Sequence, residues 1–272
     1  MAIKKEFKDT VDDLGRIYIL ILFISGAIWA FIAVNNFNNP PIFRLALTYS
    51  LLLIFGFLGI SYDRNTHQLG IDSKIWNSDR LKSKLAISSI VLFLWYLVFF
   101  KAGFSIATAQ SVTGVFFSVS PTLNWFLTTV LGPLAENVFF FGVINMTLIT
   151  LIKRTIENKK KTLILAGLIV ASSSLFTNVP NSFILLIGSA GILVLATLTQ
   201  NKFLLKHAPI ISSALFIGGV VFPKFHSFAY QLFEKHYIAA TIFGIIACVL
   251  SVYIGIMVGD IFHVGANMMA VA

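Results

Sequence analysis

Four polar side chains that lie in otherwise apolar runs of this chain could do chemistry. Glu136 stands in GPLAENVFFFG, His226 in FPKFHSF, and His263 in FHVGAN, with Asn267 four residues later. An ionisable group inside an apolar span costs about 2.5–3.5 kcal/mol to insert, so each is a functional candidate. In a helix, the spacing of His263 and Asn267 puts both on one face, where they can address the same ligand atom.

Other ionisable residues in the apolar runs leave several interpretations open. Lys101 and Lys224 lie where their side chains can snorkel to the membrane interface. Asp260 is a second carboxylate in an apolar run. Glu136 could line a polar cavity or pair with another helix. Together with Asp260 and the histidines, it could also line a proton or ion path.

The composition predicts the class of protein that must position these residues. The chain has 272 residues, of which 57% are hydrophobic and only 11% are charged. A soluble domain carries about 25% charged residues, and several apolar runs here reach the ~20 residues that span a bilayer. The sequence therefore predicts an all-α polytopic membrane protein.

The connections between the apolar runs alternate in charge. The segments 1–16, 63–84, 153–161 and 201–207 carry Lys and Arg, whereas the intervening connections carry none. This positive-inside pattern places the N-terminus in the cytoplasm. The net charge of +9 therefore indicates contact with anionic lipid heads of the bilayer and does not indicate a nucleic-acid partner. The apolar runs fall at about 17–34, 43–62, 85–102, 122–152, 163–179, 182–200, 208–230 and 237–271.

Two of these runs are too long for single straight spans. At ~1.5 Å per residue, 122–152 would measure about 46 Å and 237–271 about 52 Å, against a core of ~30 Å. We expect the first to break at Gly132 and Pro133, because proline lacks a backbone donor. The second should break at Gly255 or at Gly259 and Asp260. The result is about eight transmembrane helices, with room for a short ninth.

The chain divides into three regions of one domain. Residues 1–16 are predicted to form a cytoplasmic N-terminal tail, because four basic and four acidic residues do not suit a cleavable signal peptide. Residues 17–121 hold three N-terminal spans and their loops, and 122–272 hold the helical core. Cys248 is the only cysteine, so an intramolecular disulfide and a cysteine-based metal site are both excluded.

The motifs in the core resemble those of the CPBP intramembrane proteases, the family of CAAX proteases and bacteriocin-processing proteins. The family pattern is two adjacent glutamates followed by Phe-Arg-Gly, then FxxxH, then HxxxN. Glu136 matches the first glutamate, Phe222 and His226 match FxxxH, and His263 and Asn267 match HxxxN. The resemblance covers about 136–267, and the separation of 37 positions between the two histidines suits the family.

The first motif and its spacing depart from the family pattern. Asn137 and Phe141 stand where the family has its second glutamate and its arginine. Glu136 and His226 are 90 residues apart, more than is usual, and an extra helical hairpin at 163–200 would account for the difference.

The resemblance implies an intramembrane endopeptidase that acts on membrane-associated proteins or peptides. Glu136 with His226 would activate a water molecule, and His263 with Asn267 would donate hydrogen bonds to the oxyanion. Alternatively, Glu136, His226 and His263 would hold Zn²⁺ with an open coordination position. The competing interpretations are a catalytically degenerate CPBP-like scaffold or partner subunit, an ion or proton transporter, and an unrelated structural membrane protein.

Overall fold

The computed structural model describes residues 41–66, 81–97, 125–177, 179–229 and 234–271. All regular structure in these ranges is helical, which confirms the predicted all-α class for this part of the chain. The predicted tail 1–16, the first span at 17–34 and Lys101 lie outside the described residues.

Eight helices follow one another in the part of the chain that the structure describes. They are α1 Pro41–Thr66, α2 Leu81–Trp95, α3 127–155, α4 Lys159–Ala171, α5 Ser182–Thr199, α6 202–229, α7 Glu234–Tyr253 and α8 Ile256–Val271. The helices α3 and α6 change their winding along their length. In α3, the segments Leu127–Leu131 and Asn137–Ile144 are π-helical, and in α6 the segment Ala214–Val221 is π-helical.

Four of the described helices contain stretches long and apolar enough to cross a bilayer: Ala46–Arg64, Thr129–Thr155, Ser182–Thr199 and Lys202–His226. Large apolar side chains on the outer helices are more than half exposed, among them Phe57 (57%), Ile90 (59%), Leu168 (59%) and Ile184 (66%). Contact with lipid would cover such side chains, since a water-soluble surface rarely carries so many. The described residues therefore form a helical membrane protein.

The third helix, α3, is the centre of the bundle. In the most apolar stretch of α3, 94% of the residues are buried, whereas 33% are buried in the corresponding stretch of α1. Neighbouring helices pack against it from several sides, namely α1, α6, α7 and α8. A side chain that points out of α3 therefore meets protein rather than lipid, and Glu136 lies on this helix.

The expected break at Gly132 and Pro133 is wrong, because α3 continues through both residues. Gly132 has helical angles (φ −59°, ψ −59°), and its N–H donates to the carbonyl of Leu127 across a wide π-helical turn. Pro133 then occupies the first turn of the next α-helical segment, Gly132–Glu136. In a regular α-helix proline lacks the N–H and clashes with the carbonyl one turn back, and here the wide π-helical turn Leu127–Leu131 directly precedes it.

The predicted break in the last apolar run is confirmed at Gly255. This residue has φ 118°, a left-handed conformation that favours glycine, and it separates α7 from α8. Gly259 and Asp260, the other predicted position, lie inside α8. The turn at Gly255 allows α8 to pack against both α7 and α3.

Helices α6 and α7 cross at two glycines. A Cβ atom placed on Gly244 would lie 2.2 Å from the carbonyl oxygen of Gly218, and one on Gly218 would lie 2.3 Å from the backbone of Gly244. Only glycine allows two backbones to approach this closely.

The segment 163–200 forms the hairpin of α4 and α5, and α5 packs against α6.

Candidate functional site

Glu136 lies at a change of winding in the central helix. It is the last residue of the α-helical segment Gly132–Glu136, and the π-helical segment Asn137–Ile144 follows directly. Glu136 is 5% exposed and Asn137 is fully buried. Short π-helical segments are frequent at functional sites because the wider turn re-aims the side chains. Here, two consecutive polar side chains both enter the protein core.

The carboxylate of Glu136 faces both motif histidines. Its Oε2 atom lies 3.7 Å from Nε2 of His226 on α6 and 3.5 Å from Nε2 of His263 on α8. Both distances exceed the ~2.7–3.2 Å of a direct hydrogen bond. The structure thus brings together three residues from three helices with their reactive atoms toward one another.

The other ring nitrogen of His226 is held by its own helix. Nδ1 of His226 donates to the carbonyl of Phe222 over 2.9 Å, and the two rings pack with their centres 4.3 Å apart. A carbonyl oxygen only accepts, so Nδ1 carries the hydrogen. In the neutral imidazole, Nε2 is then an acceptor, and its lone pair points toward Glu136. The four-residue spacing of FxxxH creates this contact, since residues i and i+4 are neighbours on a helix.

His263 is fixed in the same tautomer by a different helix. Its Nδ1 lies 3.0 Å from Oδ1 of Asn137, and Nδ2 of Asn137 donates to Oδ1 of Asp260 over 2.7 Å. An amide oxygen only accepts, so Nδ1 of His263 is the donor. A continuous hydrogen-bonded chain therefore runs from Asp260 through Asn137 to His263, whose Nε2 faces Glu136.

Aromatic rings surround this polar cluster. The ring of Phe243 lies 4.4 Å from that of His263, and the ring of Phe141 lies 5.1 Å from that of Phe222, between ring centres. Phe141 is fully buried. Its apolar ring occupies the position where the CPBP family pattern has an arginine. Asn137, at the position of the family's second glutamate, is also uncharged. Both members of the family's Glu–Arg pair are therefore replaced together, and neither replacement leaves a buried charge without its partner.

Asn267, the fourth predicted site residue, lies one helical turn beyond His263 on α8 and is half-buried. Sequence reasoning missed the hydrogen bonds of Asn137 to Asp260 and His263, and it considered Asp260 as part of an ion path or a helix break but not of this site. One signal pointed to Asp260: it precedes His263 by three residues, which puts both on one helix face.

The donor types of Glu136, His226 and His263 are those that zinc uses. However, bonds of about 2.0–2.1 Å in a tetrahedron require ligand atoms about 3.3–3.4 Å apart, and the two separations from Glu136 are wider. No group of three His, Cys, Asp or Glu within the described ranges could hold a metal ion. We therefore assign no metal to this site.

The fold and the cluster define a helical membrane protein with a buried Glu–His–His site at the junction of three helices. Comparison of the chain with protein-family models, with curated proteins and with solved structures finds no match.

Proposed function

We propose that this chain is a divergent CPBP-type intramembrane endopeptidase that cleaves membrane-associated proteins or peptides, with Glu136 as its general base. We further propose about eight transmembrane helices and a cytoplasmic N-terminus, on the charge pattern of the connections. One observation carries the activity: Oε2 of Glu136 lies within 3.7 Å of the Nε2 atoms of both His226 and His263. The convergence of residues from three separate sequence motifs supports a common role.

The hydrogen-bonding state of the histidines supports proton-transfer chemistry. Each ring uses its Nδ1–H elsewhere, so both neutral rings direct a lone pair toward Oε2 of Glu136. The two acceptor nitrogens then face the acceptor Oε2 of Glu136 at 3.7 and 3.5 Å with no hydrogen of their own in between. Lone pairs in this arrangement repel unless a hydrogen lies between them. A water molecule or a shared proton supplies it, which is what a general base requires.

The hydrolytic step follows from this arrangement. Glu136 removes one proton from a water molecule while Nε2 of His226 accepts the hydrogen bond of the other. The water oxygen bonds to the peptide carbonyl carbon, and the C=O π electrons move to the oxygen as an oxyanion. The oxyanion electrons then re-form the C=O bond as the C–N bond breaks, the C–N electron pair stays on nitrogen, and protonated Glu136 donates its proton there. The carboxylate is then regenerated.

The oxyanion needs donors, and α8 offers two side chains for this purpose. The amide of Asn267 donates without any change of protonation. His263 donates from Nε2 only as the imidazolium, because its Nδ1–H is bound to Asn137. His263 is therefore an acceptor in the neutral site, and it becomes a donor when the proton that Glu136 has taken from water is shared with its Nε2. Removing one such donor typically lowers the rate about 10²–10³-fold.

The compactness of the cluster favours hydrolysis over an ion path. An ion path would place Glu136, Asp260 and the histidines at separate depths across the membrane. Instead, Asp260 binds Asn137, which binds His263, which faces Glu136 within 3.5 Å. All of these groups thus belong to one cluster between α3, α6 and α8.

The test is cleavage of a reporter by purified protein in liposomes. The probe is a set of single-span reporters with varied juxtamembrane segments, each made with and without a C-terminal prenyl group. We expect cleavage of at least one reporter by the wild type and cleavage at least about 100-fold slower by Glu136→Gln. Absence of any cleavage product would reject the enzymatic proposal in favour of a catalytically inactive scaffold, and equal cleavage by both proteins would reject the role of Glu136.

A further inference from the structure

We propose that Asp260 is a positioning residue for His263 and acts through the side chain of Asn137. Asp260 accepts from Nδ2 of Asn137 over 2.7 Å, and Oδ1 of Asn137 lies 3.0 Å from Nδ1 of His263. The effect on catalysis rests on the proposed protease function, whereas the effect on the His263 tautomer does not.

The carboxylate of Asp260 gives the hydrogen-bonded chain its direction. The oxygen and the nitrogen of an asparagine amide are nearly equal in size, so packing alone does not decide which of them faces His263. An ionised carboxylate only accepts, so it turns the amide NH₂ toward itself and the amide oxygen toward His263. The oxygen in turn requires a hydrogen on Nδ1 of His263. Asp260 thereby leaves the Nε2 lone pair facing Glu136.

The burial of Asn137 and His263 makes the orientation of the Asn137 amide important. Asn137 is fully buried and His263 is 4% exposed, so solvent cannot replace a lost partner of either side chain. A buried polar group without a partner costs about 1–3 kcal/mol, so the amide and the imidazole must agree in their orientation. Asp260 and His263 are three residues apart on α8, so one turn of helix presents both to Asn137.

Two single variants and one double variant test this role. Asp260→Asn replaces the carboxylate with an amide of the same shape, and Asn137→Leu removes the bridge. For each we expect kcat to fall about 10–100-fold, the usual effect of losing a partner that orients a site histidine, with KM within about twofold. In the double variant Asn137→Asp with Asp260→Asn, the carboxylate accepts directly from His263 and the new amide donates to it. We expect this exchange to recover at least about a third of wild-type kcat.

A spectroscopic measurement addresses the tautomer directly and needs no substrate. Protein labelled with ¹⁵N-histidine is studied by solid-state NMR in bilayers, and the His263 signals are identified by their loss in His263→Gln. We expect wild-type His263 to carry its hydrogen on Nδ1. In Asp260→Asn we expect a substantial Nε2–H population. His226 is the internal reference, because its Nδ1 donates to the Phe222 carbonyl and should not change.

A matched control separates positioning from general loss of a buried hydrogen bond. Ser189→Ala removes the bond from Ser189 to the carbonyl of Ser212 (2.9 Å), which is buried between α5 and α6. This variant should keep the wild-type rate and the wild-type His263 signals. An Nε2–H on His263 in the wild type would overturn the proposal, and so would an unchanged His263 tautomer in Asp260→Asn, whatever the rate of that variant.

The outcomes also separate this proposal from the proposed function. If no reporter is cleaved but Asp260→Asn shifts the His263 tautomer, the protease function fails and the positioning role stands. If reporters are cleaved and the tautomer does not shift, the positioning role alone fails. Should Asp260→Asn fail to fold, the wild-type spectrum and the double variant still decide the matter.

Discussion

Asn137 donates a hydrogen bond to Asp260 over 2.7 Å, although the two residues lie 123 positions apart in the chain. This bond joins the central helix α3 to α8 and turns the Asn137 oxygen toward His263. In the resembled family, a second glutamate stands at the position of Asn137. Here a carboxylate reaches the same part of the site from a different helix.

Glu136→Gln should remove activity without harming the fold. A glutamine amide offers N–H donors to Nε2 of His226 and Nε2 of His263, both of which are acceptors in their neutral form. We therefore expect the thermal midpoint to stay equal to that of the wild type or to rise, while cleavage falls about 10²–10⁴-fold, as for loss of a general base. Cys248 supplies the assay, since the chain's only cysteine is fully buried and reacts with a thiol-specific fluorophore only on unfolding. A midpoint well below the wild type would contradict the tautomers assigned here.

His226→Ala should lower the cleavage rate about 10²–10⁴-fold through loss of a positioned proton acceptor. The matched control is His207→Ala on the same helix. His207 is hydrogen-bonded to Tyr253, near the start of α6 and away from the cluster. Reporter cleavage by this control should stay within about twofold of wild type. Equal losses in the two variants would show that the effect is not specific to the site.

Replacing two buried serines by alanine should have different effects on the stability of the protein. Ser213 donates to the side-chain oxygen of Asn145 over 2.7 Å, so Ser213→Ala leaves a buried acceptor without this donor. The hydroxyl of Ser251 is buried and has no hydrogen-bond partner among the residues described. We expect Ser213→Ala to cost about 1–3 kcal/mol and Ser251→Ala to leave stability unchanged or raised. Denaturant titration in detergent, followed by Cys248 labelling, measures both, and a loss in Ser251→Ala would disprove the expected contrast.

Gly244→Ala should destabilise the crossing of α6 and α7. The added methyl would meet the carbonyl oxygen of Gly218 at 2.2 Å, so the two backbones must separate. Overpacking of this kind costs about 1–3 kcal/mol or more. Gly167→Ala on α4 is the control, because its added Cβ would meet no atom within 4 Å. We expect a lower thermal midpoint only for Gly244→Ala, and a similar shift in both variants would argue against the close crossing.

Several features of this protein could be predicted because they depend on local pattern. The long apolar runs and low charge predicted a helical membrane protein, and the described helices and their apolar spans support that class. Gly255 was one of two predicted positions for a break in the last apolar run, and the chain does turn there with a left-handed backbone that glycine tolerates. Glu136, His226 and His263 were identified because ionisable groups in apolar runs are costly and rare.

Other features depend on which helices meet, and local pattern does not contain that information. Pro133 predicted a break, but the wide turn that precedes it keeps α3 continuous. From the sequence, Asn137 indicated only that the motif had lost its second glutamate. In the structure, Asn137 donates a hydrogen bond to Asp260 of α8, which lies far away in the sequence.

The sequence by itself determined the class of protein and the residues that could react. Only the tertiary structure decided which atoms face Glu136: it brings Nε2 of His226 and Nε2 of His263 to the carboxylate, and the partner of the opposite ring nitrogen leaves each Nε2 as an acceptor. For His226 the partner is a carbonyl on its own helix. For His263 it is a side chain more than a hundred residues away, which packing alone brings within reach.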